Sequence, residues 1–224
     1  QDQLNNSDFA ILYRTNAQSR SIEDALRKRD IPYRIYGGLS FYQRKEIKDI
    51  LAYLRLIVNP KDEESLKRII NYPARGIGQT TVDKLVVASK QFNLSLFETI
   101  NKARELDLKF NAGTLLKLSD FTLLIQRFQI ENEALNAFEM ADLVTKKVGF
   151  VQELKKDATP EGIARIENVE ELLNGMRDFI EGQEELADAT GSLSEFLEDV
   201  ALATDLDKDD DPNSDRVALM TIHL

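Results

Sequence analysis

The chain contains no cysteine. That excludes a disulfide framework and any Cys-based metal site, and it fits a reducing interior. Histidine is nearly absent too: His223 is the only one, which removes most His-ligated metal centres and Ser-His-Asp arrangements. No run of eighteen apolar residues occurs, and the polar start Gln1-Asp-Gln-Leu-Asn-Asn is unlike a signal peptide, so neither a membrane span nor a secretory leader is expected. The expected location is therefore cytoplasmic. Also missing are a GxxxxGK[ST] phosphate loop and a GxGxxG turn after a strand. Acidic residues are plentiful, but they fall on helical faces or in one acidic run, so no pair of catalytic carboxylates stands out. Together these absences argue against an independent enzyme and against a metal site.

What is present is an ordinary globular composition, 42% hydrophobic and 30% charged, on a 224-residue chain long enough for one large domain or two small ones. The formal net charge of −10 at first argues against a polyanionic partner. The charge is uneven, however. Residues 1–100 carry 16 Lys and Arg against 12 Asp and Glu, a net +4, while residues 101–224 carry 13 against 27, a net −14. The first part suits a polyanion and the second suits solvent or a protein partner.

The stretch Phe9-Ala-Ile-Leu-Tyr-Arg-Thr-Asn-Ala-Gln-Ser-Arg20 organises the first part. Phe9 to Leu12 reads as a short buried strand, and the chain turns at Thr15-Asn16 into a helix from about Ala17 to Arg29, ended by Asp30 and Pro32. Tyr33 to Gly37 alternates as a second strand. This βαβ-like order predicts a parallel sheet, with Tyr13 and Arg14 at a carboxyl edge, where α/β proteins bind ligands. A Tyr face beside an Arg fork suits a base and a phosphate.

From Arg44 the period changes to three and four. Ile47, Ile50, Leu51, Leu54, Ile57 and Val58 mark a helix over Lys45 to Val58, closed by Asn59-Pro60, and a second helix runs from Glu63 to Asn71. Pro73-Ala-Arg-Gly-Ile-Gly78 then leads into a helix containing Val82, Leu85, Val86 and Ala88. This turn has two readings: an αα corner in which glycines relieve crowding, or a Gly-rich hairpin whose amides and Arg75 hold a DNA phosphate. Beyond Leu94 the spacing predicts helices near Ser95–Asn101, Gly113–Asn132, Ala137–Val148, Glu161–Ile180 and Ser192–Thr204. In the fourth, Ile163, Ile166, Val169, Leu172 and Leu173 form the expected core stripe, with Arg165, Glu167, Asn168 and Glu170 outward. The acidic run Leu206 to Asp215 lacks the Gly and terminal Glu of a calcium loop and reads as a linker. Arg216 to Leu224 is expected to be a buried strand, and its abrupt end suggests an excised piece of a longer protein.

These residues carry a family resemblance. The Phe9–Arg20 stretch resembles motif IV of the UvrD/PcrA/Rep helicases of superfamily 1, and Tyr36-Gly-Gly-Leu-Ser-Phe-Tyr-Gln-Arg-Lys-Glu-Ile-Lys-Asp49 resembles the segment after it. Arg68-Ile-Ile-Asn-Tyr-Pro-Ala-Arg-Gly-Ile-Gly78 is similar to the family's GIG element, Arg165-Ile-Glu-Asn-Val-Glu-Glu-Leu172 to part of its inserted helical domain, and Leu219-Met-Thr-Ile-His223 to the opening of motif V. The resemblance implies a mostly α fold with a small α/β part: a partial RecA-like parallel sheet of two N-terminal strands and one C-terminal strand, around a large inserted all-helical domain. It implies residues 1–107 as the first part of the second RecA-like domain, 108–214 as the inserted domain with an acidic linker at 205–215, and 216–224 as the returning strand.

It further implies an ATP-driven DNA translocase that unwinds duplex with 3′ to 5′ polarity, using ATP and Mg²⁺ in the full-length parent. By motif position Tyr13 would stack on adenine, and Arg14 would pair with the γ-phosphate as the catalytic residue, much as an arginine finger does. Gln18, Ser19 and Arg20 take supporting roles, where capping or bracing the helix is the alternative for Gln18 and Ser19. Arg75, Gly76, Ile77 and Gly78 would contact DNA backbone, and Thr221 and His223 would lie on the single-strand track, unless His223 is merely a strand-end residue. The phosphate loop, the Mg²⁺-binding acidic motif and the second arginine of the family lie outside this chain. The isolated chain is therefore expected to bind no cofactor and to be inactive, with the remaining helicase domains and DNA as the parent's partners. The alternative reading is a non-enzymatic helical interaction module whose acidic face binds a protein.

Overall fold

The computed structural model describes residues 4–183, 191–206 and 215–222. Two strands near the start, β1 (Ala10–Tyr13) and β2 (Tyr33–Tyr36), flank the helix α1 (Ser19–Arg27). Among the described residues nine further helices follow: α2 (Lys45–Val58), α3 (Glu63–Ile69), α4 (Gln79–Phe92), α5 (Leu96–Asn101), α6 (Ala112–Glu131), α7 (Ala137–Lys147), α8 (Phe150–Leu154), α9 (Pro160–Gln183) and α10 (Leu193–Leu206). The chain then returns to the sheet as β3 (Val217–Thr221).

The three strands are parallel in the order β1-β3-β2. The β1-α1-β2 crossover is thus parallel, as its order predicts, but the two strands are not neighbours, because β3 lies between them. Its registers pair Tyr13 with Thr221 and Tyr36 with Met220, so all three carboxyl ends share one edge. Tyr13, Leu26, Val217 and Leu219 make the buried core under the sheet, flanked by Ile11, Ile22, Ile31, Tyr33 and Ile35.

One expectation fails here. The predicted buried strand Phe9 to Leu12 is instead Ala10–Tyr13, with Phe9 50% and Leu12 56% exposed. Side chains alternate across a strand, and only the Ile11–Tyr13 side meets this core. A continuous apolar run does not reveal that just one face is covered.

The helices follow their periodicity closely. α2 spans the predicted residues, its Ile47, Ile50, Leu51 and Leu54 all buried, and Asn59 stands just past its end. α5 begins at the cap Ser95, whose hydroxyl accepts from the Glu98 amide at 3.2 Å while its own N–H donates to the Glu98 carboxylate at 2.9 Å. The short α8 has no counterpart among the predicted helices, since five residues are too few to show a period.

The predicted α9 stripe is only half right. Val169 and Leu172 are fully buried, but Ile163 is 54% exposed and Asn168, expected outward, is 3% exposed. Gly162, Gly175 and Met176 complete the buried face. Polar partners on other segments turn this helix, which a hydrophobic count cannot register.

Packing divides the chain into two compact units, Gln1–Lys48 with Val151–Gly191 and Glu195–Leu224, and Asp49–Phe150 with Ser192–Ser194. This division differs from the boundary between residues 107 and 108 that the resemblance implies. The acidic run falls mostly outside the described residues. None of the described helices is long and apolar enough to cross a membrane.

Candidate nucleotide and nucleic-acid contacts

In the first unit, β1 delivers Tyr13 and Arg14 to the carboxyl edge of the sheet, with Thr221 beside Tyr13 on β3. The Ile222 amide donates to the Tyr13 carbonyl at 3.0 Å and ties the strand ends together. Arg14 is exposed, and its guanidinium has no partner among the described residues. Its backbone is held: the Gln18 side-chain oxygen accepts from the Arg14 amide at 2.9 Å and from the Thr15 amide at 3.2 Å. The bracing alternative for Gln18 therefore describes what this side chain does in the structure.

Tyr13 is 5% exposed, its ring in the sheet core. Burial and the nearby Glu23 carboxylate push its phenol above the ordinary tyrosine value, against the lowering pull of Arg44. In this arrangement the ring offers no open face to a base. Ser19 and Arg20 are also buried. The Ser19 hydroxyl accepts from Arg44 at 2.7 Å, and Arg20 donates to Glu171 at 2.7 Å, Asp178 at 2.8 Å and Asp24 at 2.9 Å. Burial opposes the charge on Arg20, but its bonds to Asp178 and Glu171 outweigh it and hold the guanidinium above its ordinary value.

In the second unit, the turn between α3 and α4 holds Arg75, Gly76, Ile77 and Gly78. Gly76 has φ +69, a left-handed conformation that side-chain-bearing residues rarely adopt. Gly78 caps α4 through its backbone only, leaving the first amides of that helix without a side-chain acceptor among the described residues. Two of the loop amides are already taken, since Asn71 Oδ1 accepts from Arg75 N at 2.9 Å and Ile77 N at 3.0 Å. Ile77 is buried. The Arg75 guanidinium points into the loop, donating through Nη1 to the Ile69, Tyr72 and Pro73 carbonyls and through Nη2 to the Tyr53 hydroxyl. The fork is thus committed to holding the turn together.

Next to this turn, a cleft of about 510 Å³ is lined by Arg75, Lys117, Asp120, Phe121, Leu123, Leu124 and Arg127. Lys117 and Arg127 are exposed, and Lys117 Nζ donates to the Gly76 carbonyl at 3.2 Å. Neither Lys117 nor Arg127 stands out in its sequence context. Their spacing with Phe121 and Leu124 marks one face of α6, but only the packing places that face beside the turn. His223 lies outside the described residues, and among the described residues no cluster of three potential metal ligands occurs.

An Arg-bearing sheet edge and a Gly-rich helix hairpin thus occur in one chain, in the order of the motifs. The model for the UvrD-like helicase C-terminal domain matches residues 1–224. The chain belongs to the UvrD-like helicase C-terminal family. It is 40% identical over 216 residues to the ATP-dependent DNA helicase PcrA of Staphylococcus aureus, covering 96% of the chain and 29% of the relative. PcrA of Leuconostoc citreum is 38% identical over 218 residues, covering 97% of the chain and 29% of the relative. Against PcrA of Staphylococcus epidermidis the figures are 40% over 217 residues, 97% and 29%. The chain therefore spans less than a third of the length of these family members.

Proposed function

We propose that this chain is part of a cytoplasmic ATP-dependent DNA helicase that unwinds duplex with 3′ to 5′ polarity, and that it supplies half of the ATP site and a DNA-contact surface. The observation that carries this is Arg14: an exposed guanidinium, without a partner among the described residues, at the carboxyl edge of a parallel sheet, with its backbone pinned by Gln18. A cation so placed fits a terminal phosphate and stabilises charge that grows during transfer. ATP, with Mg²⁺ held by the remaining helicase domains, would supply the phosphoryl group whose hydrolysis drives translocation. The residues here fit one side of such a site, the phosphate-facing cation. Adenine stacking by Tyr13 requires its ring to leave the core. In the packed state Tyr13 instead fixes the strand end that carries Arg14.

For DNA, the proposed contacts are the backbone of Gly76 and Gly78, the first amides of α4, and Lys117 and Arg127 in the adjoining cleft, with Ile77 and Arg75 shaping the turn from within. Thr221 and His223 are assigned to the single-strand track. Residues 1–107 and 216–224 form parts of the second RecA-like domain, and 108–214 the inserted domain. A second role, protein binding, is favoured by the −14 charge of residues 101–224 and by Leu116, Leu123 and Ile130, which stand exposed at seven-residue spacing on α6.

The deciding experiment is Arg14→Ala in the full-length helicase. DNA-stimulated ATP turnover should fall by about 10³-fold or more while nucleotide affinity changes far less. Unchanged turnover would remove Arg14 from the site. The isolated 224-residue chain, whose sequence has no phosphate loop, should neither hydrolyse ATP nor unwind DNA.

A further inference from the structure

Four residues of α9 line one face of that helix at spacings of three, four and three: Asn168, Glu171, Gly175 and Asp178. Glu171, Gly175 and Asp178 meet Arg20, and Asn168 reaches the segment that follows Arg14 through Arg44. At one end, the buried Arg44 guanidinium donates through Nη1 to the Asn16 carbonyl at 2.7 Å and to Asn168 Oδ1 at 2.8 Å, and through Nη2 to the Ser19 hydroxyl at 2.7 Å. The Asn168 amide completes the bridge, its nitrogen donating to the buried Glu46 carboxylate at 2.5 Å. Asn168 is suited to this place because one side of its amide accepts from a cation while the other donates to an anion.

At the other end, Arg20 reaches Glu171 and Asp178 and packs against Gly175. A Cβ added at Gly175 would stand 2.6 Å from Arg20 Nη1, 2.8 Å from Cζ and 3.0 Å from Cδ, so no side chain fits without displacing the arginine.

We propose that this polar face of α9 is a positioning element for Arg14, clamping the Asn16–Arg20 turn so that the helical insertion sets the rate of ATP turnover. Arg44 and Arg20 hold the turn at both ends, and Gln18 between them holds the Arg14 amide. A shift of α9 is passed through these bonds to the backbone that carries Arg14. Since misplacement of a catalytic group by about 1 Å can cost 10²-fold, small movements of α9 suffice to tune turnover. The inference rests on the reading of Arg14 as the γ-phosphate contact.

The test uses the full-length helicase with saturating single-stranded DNA. Gly175→Ala should lower kcat by about tenfold while KM for ATP changes by less than about threefold. Asn168→Asp adds a readout that packing alone would not move. Its new carboxyl keeps the bond from Arg44 but faces Glu46 as a second anion, with Glu23 and Tyr13 beyond Arg44 as the remaining titratable groups. At pH 8 the variant should be slow; at pH 6, where the carboxyl pair can share a proton and regain the donor, its deficit relative to the parent should shrink. Wild-type kcat in Gly175→Ala together with a pH profile of Asn168→Asp parallel to the parent's would overturn the proposal, and if Gly175→Ala does not fold the pH profile alone decides. Arg14→Ala measured alongside separates the two readings. If it abolishes turnover while the α9 variants leave it intact, only the clamp fails; if it leaves turnover intact, the γ-phosphate assignment fails first.

Discussion

The Arg75 guanidinium sits between two rings, 5.7 Å from the Tyr53 centroid and 5.5 Å from that of Phe121. Its Nη1 serves three carbonyls and its Nη2 a buried hydroxyl, a pattern only a planar fork can make. Arg75→Lys keeps the charge but loses the fork, and should destabilise the protein by about 1–3 kcal/mol in urea melts. Superimposable melts would show that the turn stands without it. The residue type at this position was legible as a cation in a Gly-rich turn. Its inward orientation was not, because Tyr53 lies 22 positions away in sequence and Phe121 another 46 beyond Arg75. Arg14 is the converse case: its strand-edge placement follows from local pattern, and among the described residues no side chain pairs with its guanidinium to redirect it.

Among the elements, the α3–α4 turn depends on one side-chain acceptor that belongs to neither helix, Asn71. Asn71→Ala frees the Arg75 and Ile77 amides and should cost about 1 kcal/mol, with faster hydrogen exchange at those two amides than elsewhere in the second unit. Equal exchange in both proteins would assign the turn's rigidity to Arg75 alone. Helices with a strong apolar period were readable to within a few residues, α2 best of all. For α9 the sequence located the helix but not its rotation, because Asn168 is buried by a hydrogen-bonded cation and anion rather than by its own polarity. A period of apolar residues measures greasy surface, and this face is held by charge.

For the molecule as a whole, alkaline pH is the more informative stress. Burial raises the phenols of Tyr13, Tyr42 and Tyr53 above their ordinary value of 10.0. A group whose folded pKa lies above its unfolded one stabilises the fold fully below the unfolded value and loses that contribution as pH rises through the folded one. Stability should therefore be level up to about pH 9–10 and fall steeply above it. Tyr42→Phe, which removes the most strongly raised of the three, should flatten that fall in denaturant melts between pH 9 and 11, and an unchanged slope would count against it. Tyr53 retains its raised phenol even though Arg75 pulls it down, which marks burial as the stronger influence.

The sequence by itself determined the family, the helices other than the short α8, the two early strands and the return strand, because motif order and hydrophobic period are carried by residues close together along the chain. Only the tertiary structure decided that β3 enters between β1 and β2, that Tyr13 turns its ring into the core, that Arg75 faces inward, and that α9 presents a polar face to the turn behind Arg14. Each of these depends on a partner far away in the chain. Asn168 and Arg44 are 124 positions apart, and Arg20 and Asp178 are 158 apart. A buried polar group is stable only where such a partner satisfies it, and folding, not local pattern, supplies that partner.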